Sequence, residues 1–251
     1  MGGLALGFVV GIVSGKGGTG KTSVCAGVSI ALASAGRKVL CIDCDVGLRN
    51  LDISLGMTDS GTLSFLDVSE GSYALGQAPR HPQFPTLSFL TAPMNCSLGS
   101  IDRAAFGQML RQARELFDYI LLDAPAGVDT GFQMVAACAD RFLVVTGPGP
   151  AAIRDAARVG EILELAGKTD VRLVVNRVNR NLFSLLKMTV DDVMDQSGLP
   201  LIGVMLDDQD VPLAAACGMS LVRYSHRSYA AIAYQKISKR IQGLHEPITL
   251  K

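Results

Sequence analysis

Short apolar segments alternate with longer amphipathic ones along the whole chain. The apolar segments run for four to six residues and are rich in Val, Ile and Leu, whereas the segments between them repeat their apolar positions with helical period. Strands are predicted at 8–13, 38–42, 87–91, 119–122, 141–146, 172–175 and 201–204, and helices at 21–35, 102–116, 129–137, 151–165, 189–196 and 228–242. This alternation predicts an α/β fold with a mainly parallel, twisted sheet and helices on both of its faces.

Composition changes this picture in two respects. The chain has 251 residues, of which 49% are hydrophobic, so it can bury one sizeable core, and we expect a single domain over residues 1–251 with 243–251 as a C-terminal tail. Lys plus Arg and Asp plus Glu both number 23, which gives zero net charge. The molecule as a whole therefore has no electrostatic basis for wrapping nucleic acid.

The six cysteines are scattered singly except for Cys41 and Cys44. That pair forms a C-x-x-C inside an apolar strand, and no second pair completes a metal site, so we interpret both as buried core thiols. Unpaired cysteines are typical of a reducing compartment, which predicts a cytoplasmic protein.

The strongest motif covers residues 15–22, Gly-Lys-Gly-Gly-Thr-Gly-Lys-Thr, which satisfies the phosphate-loop pattern G-x-x-x-x-G-K-[ST] between a predicted strand and a predicted helix. Its glycines let successive N–H groups face a phosphate, and the helix that follows points its positive end at the same charge. Lys21 is expected to reach the β- and γ-phosphates, and the Thr22 hydroxyl to ligate Mg²⁺. The predicted nucleotide contacts in this segment are Gly17, Gly18, Thr19, Gly20, Lys21, Thr22 and Ser23.

Acidic residues follow two of the predicted strands. Asp43 and Asp45 come after the strand at 38–42, and Asp123 lies at the end of the strand predicted at 119–122. All three can therefore reach the crevice where the loop lies. Carboxylates at such positions hold Mg²⁺ directly or through water; Asp123 is the residue chosen for that role, and Asp45 is also a candidate metal ligand. Gly127 follows closely, and its N–H is predicted to move onto a γ-phosphate and to leave it after hydrolysis.

The segment after 172–175 reads Asn176-Arg177-Val178-Asn179. It lacks the guanine-reading N-K-x-D pattern, whereas the Asn176 amide offers one donor and one acceptor that match the N6/N7 edge of adenine. Arg177 is a further candidate for nucleotide contact. The sequence therefore favours ATP and ADP over guanine nucleotides.

These residues together resemble the deviant Walker A ATPases, the ParA–MinD family of P-loop proteins, and within it the branch that determines septum sites. Residues 16–22 are similar to the family's K-G-G-x-G-K-T loop. Residues 43–52, Asp-Cys-Asp-Val-Gly-Leu-Arg-Asn-Leu-Asp, resemble its switch I, and 123–127 with Thr130 and Gly131 resemble its switch II. The resemblance extends from the first strand to about Ser238, and its most specific part lies at 47–52.

The resemblance implies a cycle in which ATP drives a face-to-face homodimer and hydrolysis dissolves it. Lys16 would then supply positive charge in trans to the partner's phosphates, Asp45 would orient the attacking water, and Asn50 would lie in the same neighbourhood. It also implies an ATPase that is slow without its partner and regulates the position of cell division. The expected partners are a division inhibitor and a topological factor.

Other functions stay open at this stage. One is regulation of flagellar placement or number, and another is a nucleotide-dependent scaffold with little turnover. A DNA-binding partition ATPase is disfavoured because it needs a basic surface. The only basic cluster worth testing comprises Arg223, Arg227, Lys236, Lys239 and Arg240.

Membrane association has weak support from the sequence. The family's membrane anchor is an amphipathic helix beyond the last domain helix, whereas the nine residues after Gln242 are interrupted by Pro247. The predicted location is therefore the cytoplasm, with peripheral binding at the inner face of the cell membrane as the weaker expectation.

Overall fold

Seven strands form one parallel sheet in the order β3-β2-β4-β1-β5-β6-β7 within the part of the chain that the computed structural model describes, residues 6–58, 60–94 and 96–248. The strands are β1 (Phe8–Val13), β2 (Val39–Asp43), β3 (Leu87–Leu90), β4 (Tyr119–Asp123), β5 (Arg141–Thr146), β6 (Asp170–Val178) and β7 (Leu201–Leu206). Nearly every residue of β1, β2 and β4 is buried, as expected for central strands covered on both faces.

Helices cover both faces of the sheet. They are α1 (Lys21–Ser34), α2 (Leu51–Leu55), α3 (Phe65–Ser69), α4 (Arg103–Leu116), α5 (Thr130–Cys138), α6 (Pro150–Leu165), α7 (Arg180–Leu186), α8 (Val190–Ser197), α9 (Asp210–Ala216), α10 (Leu221–Tyr224) and α11 (Tyr229–Ile241). Two short 3-10 helices lie at Leu75–Gln77 and Leu98–Ser100. One apolar core lies under α4, α5, α6 and α8, and a second lies under α1 and α11.

The predicted fold class is confirmed, since all seven predicted strands occur in one parallel sheet between two helical layers. Five helices were not predicted, namely α2, α3, α7, α9 and α10. Each has at most seven residues, which is too short for a helical repeat of apolar positions to emerge. The predicted core thiols Cys41 and Cys44 are both buried.

Several strand boundaries differ from the prediction, and those of β2 and β6 affect the site. β2 includes Asp43, which was expected to follow it, and β6 continues through Asn176 and Arg177 to Val178. The pairing of β6 with β7 is irregular between Val175 and Val178, where Arg177 has a left-handed φ of 56°. This irregular pairing lets the strand continue past the point where its apolar run stops.

The described part of the tail folds back along the end of α11. Arg240 donates hydrogen bonds to the carbonyl oxygens of Glu246 and Pro247, at 2.9 and 2.7 Å, and Lys239 forms an ion pair with Glu246 at 2.9 Å. Residues 249–251 of the predicted tail lie outside the described residues, and the domain limits of 1–251 stay a prediction. Among the described helices, none has the length and apolarity needed to cross a bilayer.

Candidate nucleotide-binding site

The phosphate loop joins the carboxyl end of β1 to the first residue of α1. Gly18 and Gly20 adopt left-handed φ angles of 79° and 87°, which a side chain would strain. A Cβ atom at Gly17 or Gly18 would meet no other atom within 4 Å, whereas one at Gly15 would lie 2.6 Å from the Asp155 carbonyl oxygen. The loop is thus packed where it leaves β1 and accessible along its middle, where a phosphate would approach.

Asn176 holds the loop from β6. Its side-chain nitrogen donates to the Thr19 carbonyl oxygen at 2.8 Å, and its side-chain oxygen accepts from the Arg177 N–H at 2.8 Å. A Cβ at Gly20 would overlap the Asn176 amide, so this close contact requires glycine. Asn176 is buried and Arg177 is exposed, and each polar atom of the Asn176 amide retains the capacity for one further hydrogen bond.

A pocket of about 340 Å³ lies beside the loop, between β6 and α11. Its lining includes Gly20, Ser23, Asn176, Arg177, Leu206, Asp208 and Tyr234. Asp208 is held in place because its carboxylate accepts backbone hydrogen bonds from Asp210 and Ala230, at 3.0 and 2.9 Å. The size, the apolar walls and the adjacency to the phosphate loop fit a nucleobase and its ribose.

Lys21, Thr22 and Asp123 converge below the loop, as predicted from the sequence. Lys21 Nζ lies 3.1 Å from Asp123 Oδ1, with only 7% and 2% of the two side chains exposed, and the Thr22 hydroxyl lies near enough to Asp123 to favour its charged form. Burial raises the pKa of Asp123, while the charge of Lys21 and the hydrogen bonds from Thr22 and Lys21 act in the opposite direction. A carboxylate and a hydroxyl are therefore adjacent to a buried ammonium.

Asp43 is the register partner of Asp123 across β2 and β4 and is almost fully buried. One of its oxygens accepts from the Asp45 N–H at 2.9 Å, and the other accepts from the Leu51 N–H at 3.3 Å. Burial, and then repulsion from Asp123, raise its pKa from 3.8 to about 7. Asp43 thus anchors both ends of the segment between β2 and α2, and both of its oxygens are already used by backbone donors.

Asp45 stands at the margin of this cluster. It is half-buried, its Oδ1 accepts from the Gly47 N–H at 3.3 Å, and its charge is close enough to raise the pKa values of Asp43 and Asp123. Asn50, directly before α2, and Lys16, in the loop, are both exposed. Within the described residues the Lys16 ammonium makes no ion pair, so these two side chains lie on the rim rather than in the cluster.

Gly127 ties the segment after β4 to the start of the loop. Its φ is 92°, and its N–H donates to the Ser14 carbonyl oxygen at 3.0 Å. The Ser14 hydroxyl in turn donates to the Lys16 carbonyl oxygen at 3.0 Å. The N–H that was predicted to serve a phosphate is therefore bonded to the loop itself in this conformation.

Two features were missed by sequence reasoning. The Arg49 Nε donates to the Thr91 hydroxyl oxygen at 2.8 Å, while Arg49 has a left-handed φ of 44°, so the segment before α2 is pinned to the end of β3 in a strained conformation. The Thr19 hydroxyl is buried without a hydrogen-bond partner among the described residues. Neither feature carries a local sequence signal. The Arg49–Thr91 hydrogen bond joins residues 42 positions apart, and the isolation of the Thr19 hydroxyl depends on how deeply the fold buries it.

The residues fit a magnesium nucleotide. The loop has an unpartnered buried hydroxyl and an accessible backbone, and the Thr22 hydroxyl and Asp123 carboxylate are the oxygen ligands that Mg²⁺ prefers. Among the described side chains, no group of three or more His, Cys, Asp or Glu is arranged to hold a metal by itself. That suits an ion that shares its coordination with phosphate oxygens and water.

Comparison with known proteins points to the same chemistry. Residues 10–222 match the family model described as CobQ/CobB/MinD/ParA nucleotide binding domain. The septum site-determining protein MinD of Synechocystis sp. is 36% identical over 241 residues, which cover 95% of this chain and 91% of that protein.

Solved structures agree with the sequence relatives. A chain of the MinC:MinD cell division protein complex of Aquifex aeolicus superposes with a TM-score of 0.88 at 31% identity, covering 96% of this chain and 98% of that one. The septum site-determining protein MinD of Pyrococcus horikoshii, complexed with Mg-ADP, superposes with a TM-score of 0.82 at 28% identity, covering 94% of this chain and 96% of that one.

Proposed function

The chain belongs to the CobQ/CobB/MinD/ParA family of nucleotide-binding domains, and on that premise we propose that it is a MinD-type ATPase that regulates the position of cell division. The observation that carries the proposal is the convergence of Lys21, Thr22 and Asp123 beneath an accessible phosphate loop. The relatives described above are septum site-determining and cell division proteins, so the comparisons favour this role over one in flagellar placement.

The buried cluster supports ATP binding and hydrolysis. Lys21 would hold the phosphates, and Thr22 and Asp123 would hold Mg²⁺, with Asp45 close enough to contribute. The ion would neutralise charge that develops on the phosphate oxygens. The pocket beside Asn176 would take adenine, since the amide retains one donor and one acceptor after holding the loop.

The exposed residues on the rim support a homodimer that forms with ATP. Lys16 is exposed and makes no ion pair with described residues, so it can reach a second copy without losing an existing partner. In trans it would stabilise the transition state of hydrolysis as an arginine finger does. Asp45 would orient the attacking water, and Asn50 would lie beside it.

A complex of the Aquifex relative with MinC supports a division inhibitor of the MinC type as partner. We propose a topological factor as the second partner, and a cytoplasmic location with peripheral binding at the inner face of the membrane. Cosedimentation with anionic vesicles, with and without ATP, tests that location. Binding that ignores ATP contradicts a nucleotide-controlled anchor.

The decisive experiment compares Lys16→Ala with the wild type in nucleotide binding and in ATP turnover with partner and vesicles present. Lys16→Ala is expected to bind ATP within about threefold of wild type but to hydrolyse it at least about a hundredfold more slowly, because only a transition-state contact is lost. Lys38→Ala is the matched control, since Lys38 is exposed at the opposite end of the sheet.

Normal turnover by Lys16→Ala contradicts the proposed role of this lysine in trans. Absent turnover in the wild type, with ATP binding retained, favours the alternative of a nucleotide-dependent scaffold. Failure of the wild type to bind ATP contradicts the whole proposal.

A further inference from the structure

A second cavity lies at the amino-terminal end of the sheet, opposite the nucleotide site, and we propose that it binds a phosphate monoester with an apolar body. This floor cavity has a volume of about 570 Å³, which is in the range of small-molecule sites. The residues that decide its chemistry are Phe8, Tyr119, Arg141, Asp170, Arg172 and Arg240. The inference stands apart from the proposed ATPase activity.

Stacked planar groups form one wall of the floor cavity. The Arg141 guanidinium lies 4.3 Å from the centroid of the Phe8 ring, and that ring stacks on Tyr119 with centroids 6.2 Å apart. Phe8 stays 41% exposed although it begins a central strand. The wall thus offers the exposed part of the Phe8 ring to a ligand and places a cation over the face of that ring.

The cavity lining carries more positive than negative charge. Asp170 is shared, since its two oxygens accept from Arg141 Nε at 3.0 Å and from Arg172 Nε at 3.1 Å. Arg240 donates to backbone carbonyls, including that of Ile202 at 2.6 Å, rather than to a carboxylate. Three arginines and one aspartate line the cavity, so the lining has an excess of two positive charges in a chain whose net charge is zero.

The three arginines differ in how many of their guanidinium nitrogens are already hydrogen-bonded. All three guanidinium nitrogens of Arg240 are bonded to carbonyls, and Arg141 uses Nε and one Nη, the latter for the Ile241 carbonyl at 2.8 Å. Arg172 uses only Nε among its contacts with the described residues, and its side chain is 47% exposed. Its two terminal nitrogens therefore remain available as donors to a ligand.

These donors select the class of ligand. A guanidinium that presents two parallel N–H groups binds carboxylate or phosphate in a bidentate manner. A phosphate monoester carries close to two negative charges at neutral pH and so matches the charge excess, while a carboxylate carries only one. The aromatic wall favours an apolar body on the ester over inorganic phosphate.

Calorimetric titration of the full chain with hexyl phosphate tests the proposal. Saturating Mg-ADP is present throughout, so that the phosphate loop does not contribute. Arg172→Gln is expected to weaken binding about tenfold, because a charge-assisted bidentate contact is lost. Arg158→Gln is the matched control and should bind as the wild type does, since Arg158 is exposed on α6 and pairs with Glu161.

Leu201→Phe provides a second variant that keeps every charge and narrows the floor cavity, and it should also weaken hexyl phosphate binding. Unchanged affinity for nucleotide in each variant shows that the fold is intact. Inorganic phosphate and hexanol should both bind more weakly than hexyl phosphate. Equal affinity of wild type and Arg172→Gln, or binding of hexyl phosphate that appears only when Mg-ADP is omitted, overturns the proposal.

Vesicles distinguish two sources of this chemistry. If the natural ligand is a lipid headgroup, the wild type sediments with phosphatidylcholine vesicles that contain phosphatidic acid, and Arg172→Gln sediments less. If it is a soluble ester, hexyl phosphate binds while vesicles do not. Binding of neither probe overturns the proposal, whether or not the ATPase assays succeed.

Discussion

The ammonium of Lys21 lies 3.1 Å from the carboxylate of Asp123, and both side chains are almost wholly buried. The residue expected to hold phosphate and the residue expected to hold Mg²⁺ thus compensate each other's charge. A buried ion pair that loses one partner leaves an uncompensated charge, which is strongly destabilising. The two functions are therefore coupled before any ligand binds.

Asp123→Asn is expected to reduce, at least about tenfold, the gain in ADP affinity that Mg²⁺ gives over EDTA, because an amide is a poor ligand for this ion. Titration with a fluorescent nucleotide in both buffers measures the effect. Asp118→Asn, at the opposite end of the sheet, is the control. An undiminished response to Mg²⁺ in Asp123→Asn excludes Asp123 as a ligand.

Gly20→Ala should destabilise the fold and abolish nucleotide binding. Its φ of 87° alone costs a side chain about 1–2 kcal/mol, and the added methyl overlaps the Asn176 amide. Gly17→Ala is the matched control for stability, since a Cβ there meets nothing within 4 Å. Denaturant unfolding compares them, and equal midpoints contradict the close packing of Gly20 on Asn176.

The raised pKa of Asp43 predicts that the stability of the fold depends on pH. Its pKa rises from 3.8 to about 7 on folding, so the folded state holds the proton more tightly than the unfolded state. The protonated Asp43 therefore stabilises the folded state fully below about pH 4, and this contribution is lost as the pH rises through about 7. The loss amounts to up to about 4 kcal/mol of the free energy of unfolding. The free energy of unfolding, measured in EDTA, should therefore fall across this window.

Asp43→Asn isolates that contribution, since asparagine does not titrate. The variant is expected to be less stable than wild type at low pH, because its amide nitrogen would face one of the backbone donors now bound by the carboxyl. Its decline between pH 4 and 7 should nevertheless be smaller. Parallel pH profiles for the two proteins contradict the raised pKa.

Two helical glycines should respond in opposite directions to alanine. A Cβ at Gly27 in α1 would overlap the ring of Tyr234 in α11, so Gly27→Ala is expected to cost about 1–3 kcal/mol. The nearest atom to a Cβ at Gly107 in α4 is 3.7 Å away, at the end of Arg111. Gly107→Ala should gain about 0.5–1 kcal/mol from helix propensity. Unfolding by denaturant measures both, and the same sign for both contradicts the packing of α1 on α11.

The sequence sufficed for features with a local or periodic signature. The seven strands, the phosphate loop, and the approach of Lys21, Thr22 and Asp123 to one another all follow from runs of apolar residues and from residues at strand ends. The short α2 carries no such repeat. The contact of Arg49 with Thr91 joins distant segments, so it required the folded chain.

Asn176 illustrates a further limit. Its donor and acceptor were interpreted from the sequence as complementary to adenine, whereas in the fold the same two groups hold the Thr19 carbonyl and the Arg177 N–H. The residue type determines how many hydrogen bonds a side chain can make. The fold determines which backbone groups lie near enough to form them. The prediction about adenine therefore concerns only the second bond that each atom can make.

The hydrogen bond from Gly127 to Ser14 has a consequence for signalling. An amide carries one hydrogen, so this N–H serves one strong acceptor at a time. A conformation in which it serves a phosphate is one in which Ser14 has lost it. If nucleotide binding transfers this N–H from Ser14 to a phosphate, the two arrangements exclude each other, and the segment would then switch between two states rather than shift by degrees.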